Sequence, residues 1–141
     1  MKILVVDDEE MIREVIKEYS INEGFLVEEA DNGRDAVFKV KNNDYDLIIM
    51  DIMMPHMDGY TAIKEIKKIK NIPVIVLSAR GEEYDKLTGF DIGIDDYVTK
   101  PFSPKELIAR IKAVSKRNSN VKEDIFKYED LQVDYKAREV K

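Results

Sequence analysis

Four points in the chain place reactive side chains directly after apolar runs. Asp7-Asp8-Glu9 follows Ile3-Leu4-Val5-Val6, and Asp51 follows Leu47-Ile48-Ile49-Met50. Ser78 follows Val74-Ile75-Val76-Leu77, and Thr99-Lys100-Pro101 follows Tyr97-Val98. If the four runs are neighbouring strands, carboxylates, a hydroxyl and an ammonium converge on one rim. Two carboxylates ~4 Å apart repel by about 4 kcal/mol at an effective dielectric near 20. A divalent cation relieves that repulsion. Mg²⁺ suits such a site, because it takes one or two carboxylates, keeps waters and completes its octahedron with phosphate oxygens. A carboxylate can also accept a phosphoryl group as an acyl phosphate. Positioning and charge neutralisation then carry the transfer. The metal would neutralise one side of the phosphoryl group and Lys100 another, with the Ser78 hydroxyl bonding a third oxygen.

The pattern between these points predicts how they meet. Continuous apolar β-branched runs read as strands buried on both faces. Phe25–Ala30 and Tyr97-Val98 are weaker and predict strands nearer the sheet edges. Helical periodicity predicts a helix over 10–22 with Met11, Val15, Ile16 and Tyr19 inward. It predicts a second over 34–42 with Ala36, Val37 and Val40 inward. A third, over 59–69, points Ala62, Ile63, Ile66 and Ile69 inward and leaves Lys64, Lys67, Lys68 and Lys70 as a solvated face. A polar stretch at 82–92 has few anchors, mainly Leu87 and Phe90. The last helix, 104–117, carries Leu107, Ile108, Ile111 and Val114. Ser103, Pro104 and Glu106 form its start signal, a capping box. Strand and helix alternate five times, which predicts a flavodoxin-like (βα)5 doubly wound α/β fold. Five parallel strands in order 2-1-3-4-5 put the site beyond their carboxyl ends.

Composition narrows the function. The 141 residues are 44% hydrophobic, contain no cysteine and carry a net charge of -6. The size suits one domain with a short appendage, and thiolate metal sites and disulfides are excluded. No apolar run reaches the roughly 18 residues of a membrane span, and no signal peptide is evident. The expectation is a cytoplasmic protein. Residues 1–111 hold 15 basic and 23 acidic side chains, whereas residues 112–141 hold 8 and 6. An acidic body repels nucleic acid. There is no Gly-rich nucleotide loop. Asn118-Ser119-Asn120 reads as linker. Ile125–Tyr128, Leu131–Tyr135 and Glu139-Val140 read as short strands of a second domain that the chain only enters. The expected division is 1–117, a linker at 118–124, and 125–141.

The whole set resembles the receiver domain of bacterial two-component response regulators. It comprises Asp7-Asp8, Asp51 with Met54-Pro55 and Asp58-Gly59, Ser78-Ala79, and Lys100-Pro101-Phe102. The resemblance implies that Asp51 is the phosphoacceptor. It implies that Mg²⁺ is held by Asp8, Asp51 and the backbone carbonyl of Met53, with Asp7 acting through water. Ser78 and Lys100 would bind the phosphoryl group, Tyr97 would be an aromatic switch, and the Lys100-Pro101 bond would be cis. A sensor histidine kinase is the implied partner.

Asp85-Lys86, Gly89, Asp91, Gly93, Asp95-Asp96-Tyr97, Glu106-Leu107 and Ala109-Arg110 further resemble OmpR/PhoB-type regulators. The tail, with Phe126, Leu131, Val133-Asp134 and Arg138–Val140, resembles the start of their winged-helix DNA-binding domain. Phosphorylation would then produce a homodimer, and DNA would be bound through a C-terminal domain largely missing from this chain. Across the two-fold axis Lys86 would meet Glu106, Asp96 would meet Arg110, and Asp95 would meet Arg117, around Leu87, Phe90 and Ala109. Glu106 has a competing role as a cap of its own helix. Ile94 and Phe90 depart from the usual residues. The rival readings are a stand-alone receiver acting by protein contact and an aspartate-nucleophile phosphohydrolase. The latter places Asp-x-Asp after its first strand, unlike the adjacent pair here. His56, in a turn-like segment, is assigned no role.

Overall fold

The computed structural model describes residues 1–54, 57–79 and 93–130, with only the backbone described over 118–130. Its elements in chain order are β1 (Lys2–Val6), α1 (Glu10–Asn22), β2 (Leu26–Ala30), α2 (Gly33–Asn42) and β3 (Leu47–Asp51). There follow α3 (Gly59–Ile69), β4 (Val74–Ala79), β5 (Asp96–Lys100) and a final helix, here α4 (Pro104–Asp130). The five strands are all parallel, in the predicted order β2-β1-β3-β4-β5. The helix predicted over 82–92 lies outside the described residues.

Alternation along the strands sorts the core into two layers. Leu4, Val6, Ile48, Met50, Val74 and Val76 pack with Ala36 and Val40 of α2 and with Ala62, Ile63 and Ile66 of α3. Ile3, Val5, Leu47, Ile49, Ile75 and Leu77 face the opposite way, onto Ile16 of α1 and Leu107, Ile111 and Val114 of α4. The central strands are apolar on both sides because both sides are covered. Ile94, one of the departures noted above, is buried in the first layer.

Several local expectations need correction. The inward stripe of α1 is Ile12, Ile16, Tyr19 and Ser20, while Met11 is 77% exposed and Val15 is at the surface. Positions 11-15-19 and 12-16-19 both satisfy helical spacing, and the sheet selects the second. Ile69, expected inward, is 37% exposed at the last residue of α3. Two of the four expected solvated lysines are tied down. Lys67 Nζ donates to the Ile72 carbonyl at 2.7 Å, and Lys70 Nζ donates to the Asn43 carbonyl at 2.9 Å and pairs with Asp44 at 2.8 Å.

The largest difference is at the end. α4 continues to Asp130, through the expected linker and the strand expected at 125–128. No Gly or Pro lies between 118 and 130, so nothing in the backbone chemistry stops the helix there. The strands expected after Leu131 lie outside the described residues.

Asp58-Gly59 shows how tightly the site end is built. Asp58 caps α3 by accepting from the Thr61 amide at 2.9 Å. A Cβ on Gly59 would lie 2.5 Å from the Asp51 carbonyl oxygen and 2.6 Å from Ile52 Cα. Those are backbone atoms of the strand end that bears Asp51, so relief requires moving that backbone. Gly24 differs: its φ is +88°, yet a Cβ there meets nothing within 4 Å. Gly59→Ala is expected to cost about 1–3 kcal/mol, as overpacking does. It should also shift Asp51. Gly24→Ala should cost about 1–2 kcal/mol through backbone conformation alone and leave the site unmoved. Urea denaturation with amide chemical shifts around Asp51 measures both effects.

Candidate functional site

The strand register brings the predicted side chains together. Val6 lies opposite Met50, Asp51 opposite Leu77, Ser78 opposite Thr99, and Ala79 opposite Lys100. Asp7, Asp51 and Lys100 each stand two residues beyond a residue of the α1–α4 layer, namely Val5, Ile49 and Val98. Period-two alternation therefore carries all three to the same side of the sheet's carboxyl edge.

Their geometry is an ammonium set among carboxylates. Lys100 Nζ lies 3.0 Å from Asp7 Oδ2, 3.5 Å from Asp51 Oδ2 and 3.5 Å from Glu9 Oε1. Asp7 is fully buried and Asp51 is 3% exposed. Asp7 Oδ1 accepts from the Glu9 amide at 2.9 Å, and Asp51 Oδ1 accepts from the Met53 amide at 3.1 Å. Asp7 Oδ2 meets the Lys100 ammonium as an ion pair. One oxygen each of Asp7, Asp8 and Asp51 lie within 4.8 Å of one another. Asp8 is exposed, and its carboxylate makes no hydrogen bond among the described residues.

Electrostatics follow from this crowding. Burial, then the charge of Asp7, pushes the Asp51 carboxyl up to about 6 from an ordinary 3.8, against the pull of the Met53 amide and Lys100. Burial likewise raises Asp7, partly offset by the Glu9 amide and Lys100. Burial opposes the Lys100 charge, but Asp7, Asp51 and Glu9 outweigh it and hold the ammonium above its ordinary value. The pocket has an excess of negative charge that one lysine does not cancel. Its oxygen-only donor set matches a hard divalent cation.

The remaining predicted residues sit as follows. Ser78 is 2% exposed, and its hydroxyl is 3.5 Å from the Val98 carbonyl. Tyr97 is half-buried against the α2–α3 core layer with its hydroxyl oxygen enclosed. Met53 is 62% exposed at the rim. The Lys100-Pro101 bond is cis. Glu9 was grouped with the strand-end carboxylates but given no role of its own, yet it is the third carboxylate on Lys100.

On the other flank of the sheet, the expected cross-axis charges among the described residues are already engaged within the chain. Arg110 Nη1 donates to both Asp96 oxygens at 3.0 Å, and Arg110 Nη2 donates to Glu106 Oε2 at 3.2 Å. Arg117 Nη2 donates to the Asp95 carbonyl at 3.4 Å, while the Asp95 carboxylate accepts from the Val74 amide at 2.8 Å. The competing roles of Glu106 are thus joined by a third. The Ser103 hydroxyl caps the Glu106 amide at 3.3 Å, but the Glu106 carboxylate serves Arg110. Ala109 is exposed. Lys86, Leu87 and Phe90 lie outside the described residues, as do Pro55 and His56.

A doubly wound sheet with an acidic pocket and one lysine at its carboxyl edge defines a class, and comparison with known proteins identifies it. The response regulator receiver domain family matches residues 3–112, and the chain belongs to that family. The transcriptional regulatory protein ResD of Bacillus subtilis is 40% identical over 99% of this chain and 61% of its own length. SrrA of Staphylococcus aureus, also a transcriptional regulatory protein, is 37% identical with the same coverage. The receiver domain of Francisella response regulator 1452 superposes with a TM-score of 0.75 at 42% identity, covering 83% of this chain and 98% of that one. A CheY-like receiver domain protein from Methanospirillum hungatei gives 0.80 at 26% identity, covering 84% and 96%. The chain spans about three-fifths of the length of the curated relatives, 61% in both. Among the described residues, no helix is long and apolar enough to cross a membrane.

The raised Asp51 value has a consequence for stability. The folded chain binds this proton more tightly than the unfolded chain does, so the benefit is full below 3.8 and is lost as pH rises through about 6. Without divalent cations, stability should fall between those limits. Asp51→Asn should flatten that slope and gain on the order of 2 kcal/mol at neutral pH. Thermal melts in chelator at acidic and neutral pH check it: equal slopes in parent and variant would remove Asp51 as the cause.

Proposed function

We propose that the chain is the phosphoacceptor part of an OmpR/PhoB-type transcriptional response regulator, and that Asp51 accepts the phosphoryl group from a sensor histidine kinase. The observation that carries this reading is the placement of Asp51. It is a buried carboxylate ending the central strand, with the Lys100 ammonium 3.5 Å away and the carboxylates of Asp7 and Asp8 clustered with it. In the transfer, an Asp51 oxygen forms the new bond to phosphorus as the phosphorus–nitrogen bond to the kinase histidine breaks. Lys100 faces the acceptor and offsets the charge of the incoming phosphoryl oxygens. Ser78, one residue past Leu77 in the register, supplies a hydroxyl for another of those oxygens.

Asp8, Asp51 and the Met53 carbonyl would hold Mg²⁺, with Asp7 acting through water. When bound, the cation supplies the charge neutralisation that a pocket of three carboxylates and one lysine lacks. The division between Asp7 and Asp8 has local support. Asp7 is engaged by the Glu9 amide and Lys100, whereas the Asp8 carboxylate makes no hydrogen bond among the described residues.

The output is homodimerisation through the flank formed by α4 and β5, with Tyr97 as the switch residue. Each cross-axis contact would occur twice. Asp96 and Arg110 would have to exchange their present intrachain partners for the same groups of a second copy. A rim pair is worth about 0–1 kcal/mol, so the exchange sets register more than affinity. Transcriptional control then rests on a DNA-binding domain beginning within residues 125–141. The relatives ResD and SrrA, both transcriptional regulatory proteins, support the transcriptional reading.

The direct test uses a small phosphodonor with Mg²⁺ and intact-mass detection. The parent should gain one phosphoryl group, and Asp51→Asn should lose at least about 100-fold in rate, since the amide is a poor nucleophile. A variant still modified once at the parental rate would sink the assignment.

Met53 bears on lifetime. It is the second residue after the acceptor, and its thioether is at most a weak acceptor for water. The acyl phosphate should therefore be long-lived for a receiver. Met53→Asn should shorten it several-fold by orienting the attacking water, and an unchanged or slower decay would contradict that role.

A further inference from the structure

Outside the pocket, one arginine makes a contact that the proposed chemistry has not used. Arg13 lies one turn into α1, and its side chain is only 16% exposed. Its guanidinium is divided between two partners. Nη1 donates to the Asp7 carbonyl oxygen at 2.8 Å, and Nε donates to Glu29 Oε1 at 2.9 Å. Glu29 belongs to β2, on the same side as Val27, which packs toward α1. Its second oxygen takes Lys17 at 3.3 Å. Burial would raise the Glu29 carboxyl, but Arg13 and Lys17 together hold it below the ordinary range.

The contact at Asp7 falls on one particular peptide unit. The Asp7 carbonyl and the Asp8 amide share a plane, so fixing the oxygen fixes the plane. The near side of this loop is already held, by the Asp7 amide on the Ala30 carbonyl at 3.2 Å and the Glu9 amide on Asp7 Oδ1. Asp8 has no such help. Its carboxylate is exposed and unbonded among the described residues, so the direction in which it leaves the chain is set by the backbone. Arg13 is the side chain that holds that backbone from α1, braced from β2 by Glu29.

We propose that Arg13 is a positioning residue for the divalent-cation pocket, orienting the Asp7-Asp8 peptide so that the Asp8 carboxylate faces Asp51. The proposal rests on the receiver reading of that pocket. Coulomb's law and positioning predict opposite signs here. Arg13 is a cation near an acidic site, so its removal by charge alone would strengthen Mg²⁺ binding. Loss of orientation would weaken binding, and outer contacts of this kind typically account for 10–100-fold in metal affinity. Lys17 is an internal control. It is also a cation on Glu29, but no contact ties it to the Asp7 carbonyl.

The experiment is Mg²⁺ titration of the intact chain by calorimetry at low salt, with phosphorylation by a small phosphodonor at limiting and saturating Mg²⁺. Arg13→Ala should raise the Mg²⁺ Kd about 10-fold and slow phosphorylation at limiting metal, with the rate at saturation within about 2-fold of the parent. Lys17→Ala should leave Kd unchanged or slightly lower. Arg13→Lys keeps the charge but cannot bridge both partners, so it should recover only part of the affinity. An Arg13→Ala Kd equal to or below the parent's overturns the proposal, as does full recovery in Arg13→Lys. If Arg13→Ala does not fold by circular dichroism, Arg13→Lys decides alone, with parental affinity counting against. A parent that binds no Mg²⁺ and takes no phosphoryl group would instead refute the receiver chemistry beneath it.

Discussion

The interaction on which this molecule depends is the crowding of carboxylates around the Lys100 ammonium. Buried carboxylates this close are unfavourable, and the raised Asp51 and Asp7 values express that cost. A purely structural site would have neutralised the excess with a second cation or moved one carboxylate into solvent. Instead the parallel sheet delivers Asp7, Asp51 and Lys100 to one side of its edge through strand parity alone, and close backbone packing at Gly59 holds the end of β3 in place. The rest of the fold supplies the stability that this rim does not.

That division of labour explains how the chain reads. The strand order was legible because β1, β3 and β4 are buried on both faces and so are apolar without alternation. The site was legible because the reactive residues come immediately after those runs. A helix face is a weaker signal. On α1, two stripes one residue apart both satisfy the spacing; Ile16 and Tyr19 face inward as expected, but Met11 and Val15 lie at the surface and Ile12 takes their place. The end of α4 was misread for a related reason. Asn-Ser-Asn suggests a linker by composition, yet without Gly or Pro it does not force one.

Charged residues were the least legible. On an amphipathic helix, a lysine or arginine that holds a neighbouring carbonyl looks the same in sequence as one in solvent. Lys67, Lys70 and Arg13 all make such contacts with segments far along the chain or in a different element. Glu9 was similarly given no role, since an acidic residue at a helix start is ordinarily explained by the helix dipole. Its contact with Lys100 spans 91 positions, beyond any local pattern.

The route from the pocket to the proposed dimer face is short. β5 carries Lys100 at its pocket end, Tyr97 within, and Asp96 at its start, a distance of about 13 Å at 3.3 Å per residue. Asp96 holds Arg110 of α4, which also takes Glu106. Proximity is no evidence of coupling by itself; coupling needs an element with two alternative arrangements. In the proposed dimer the Asp96–Arg110 pair suits that role, because it is satisfied within one chain and would be satisfied again by the same groups of a second copy. Exchanging one set of partners for the other costs little electrostatically, so even a modest repositioning of β5 could decide between them. In the proposed dimer, this intrachain pairing would make association conditional on its release, as the proposed phosphorylation-dependent regulation requires.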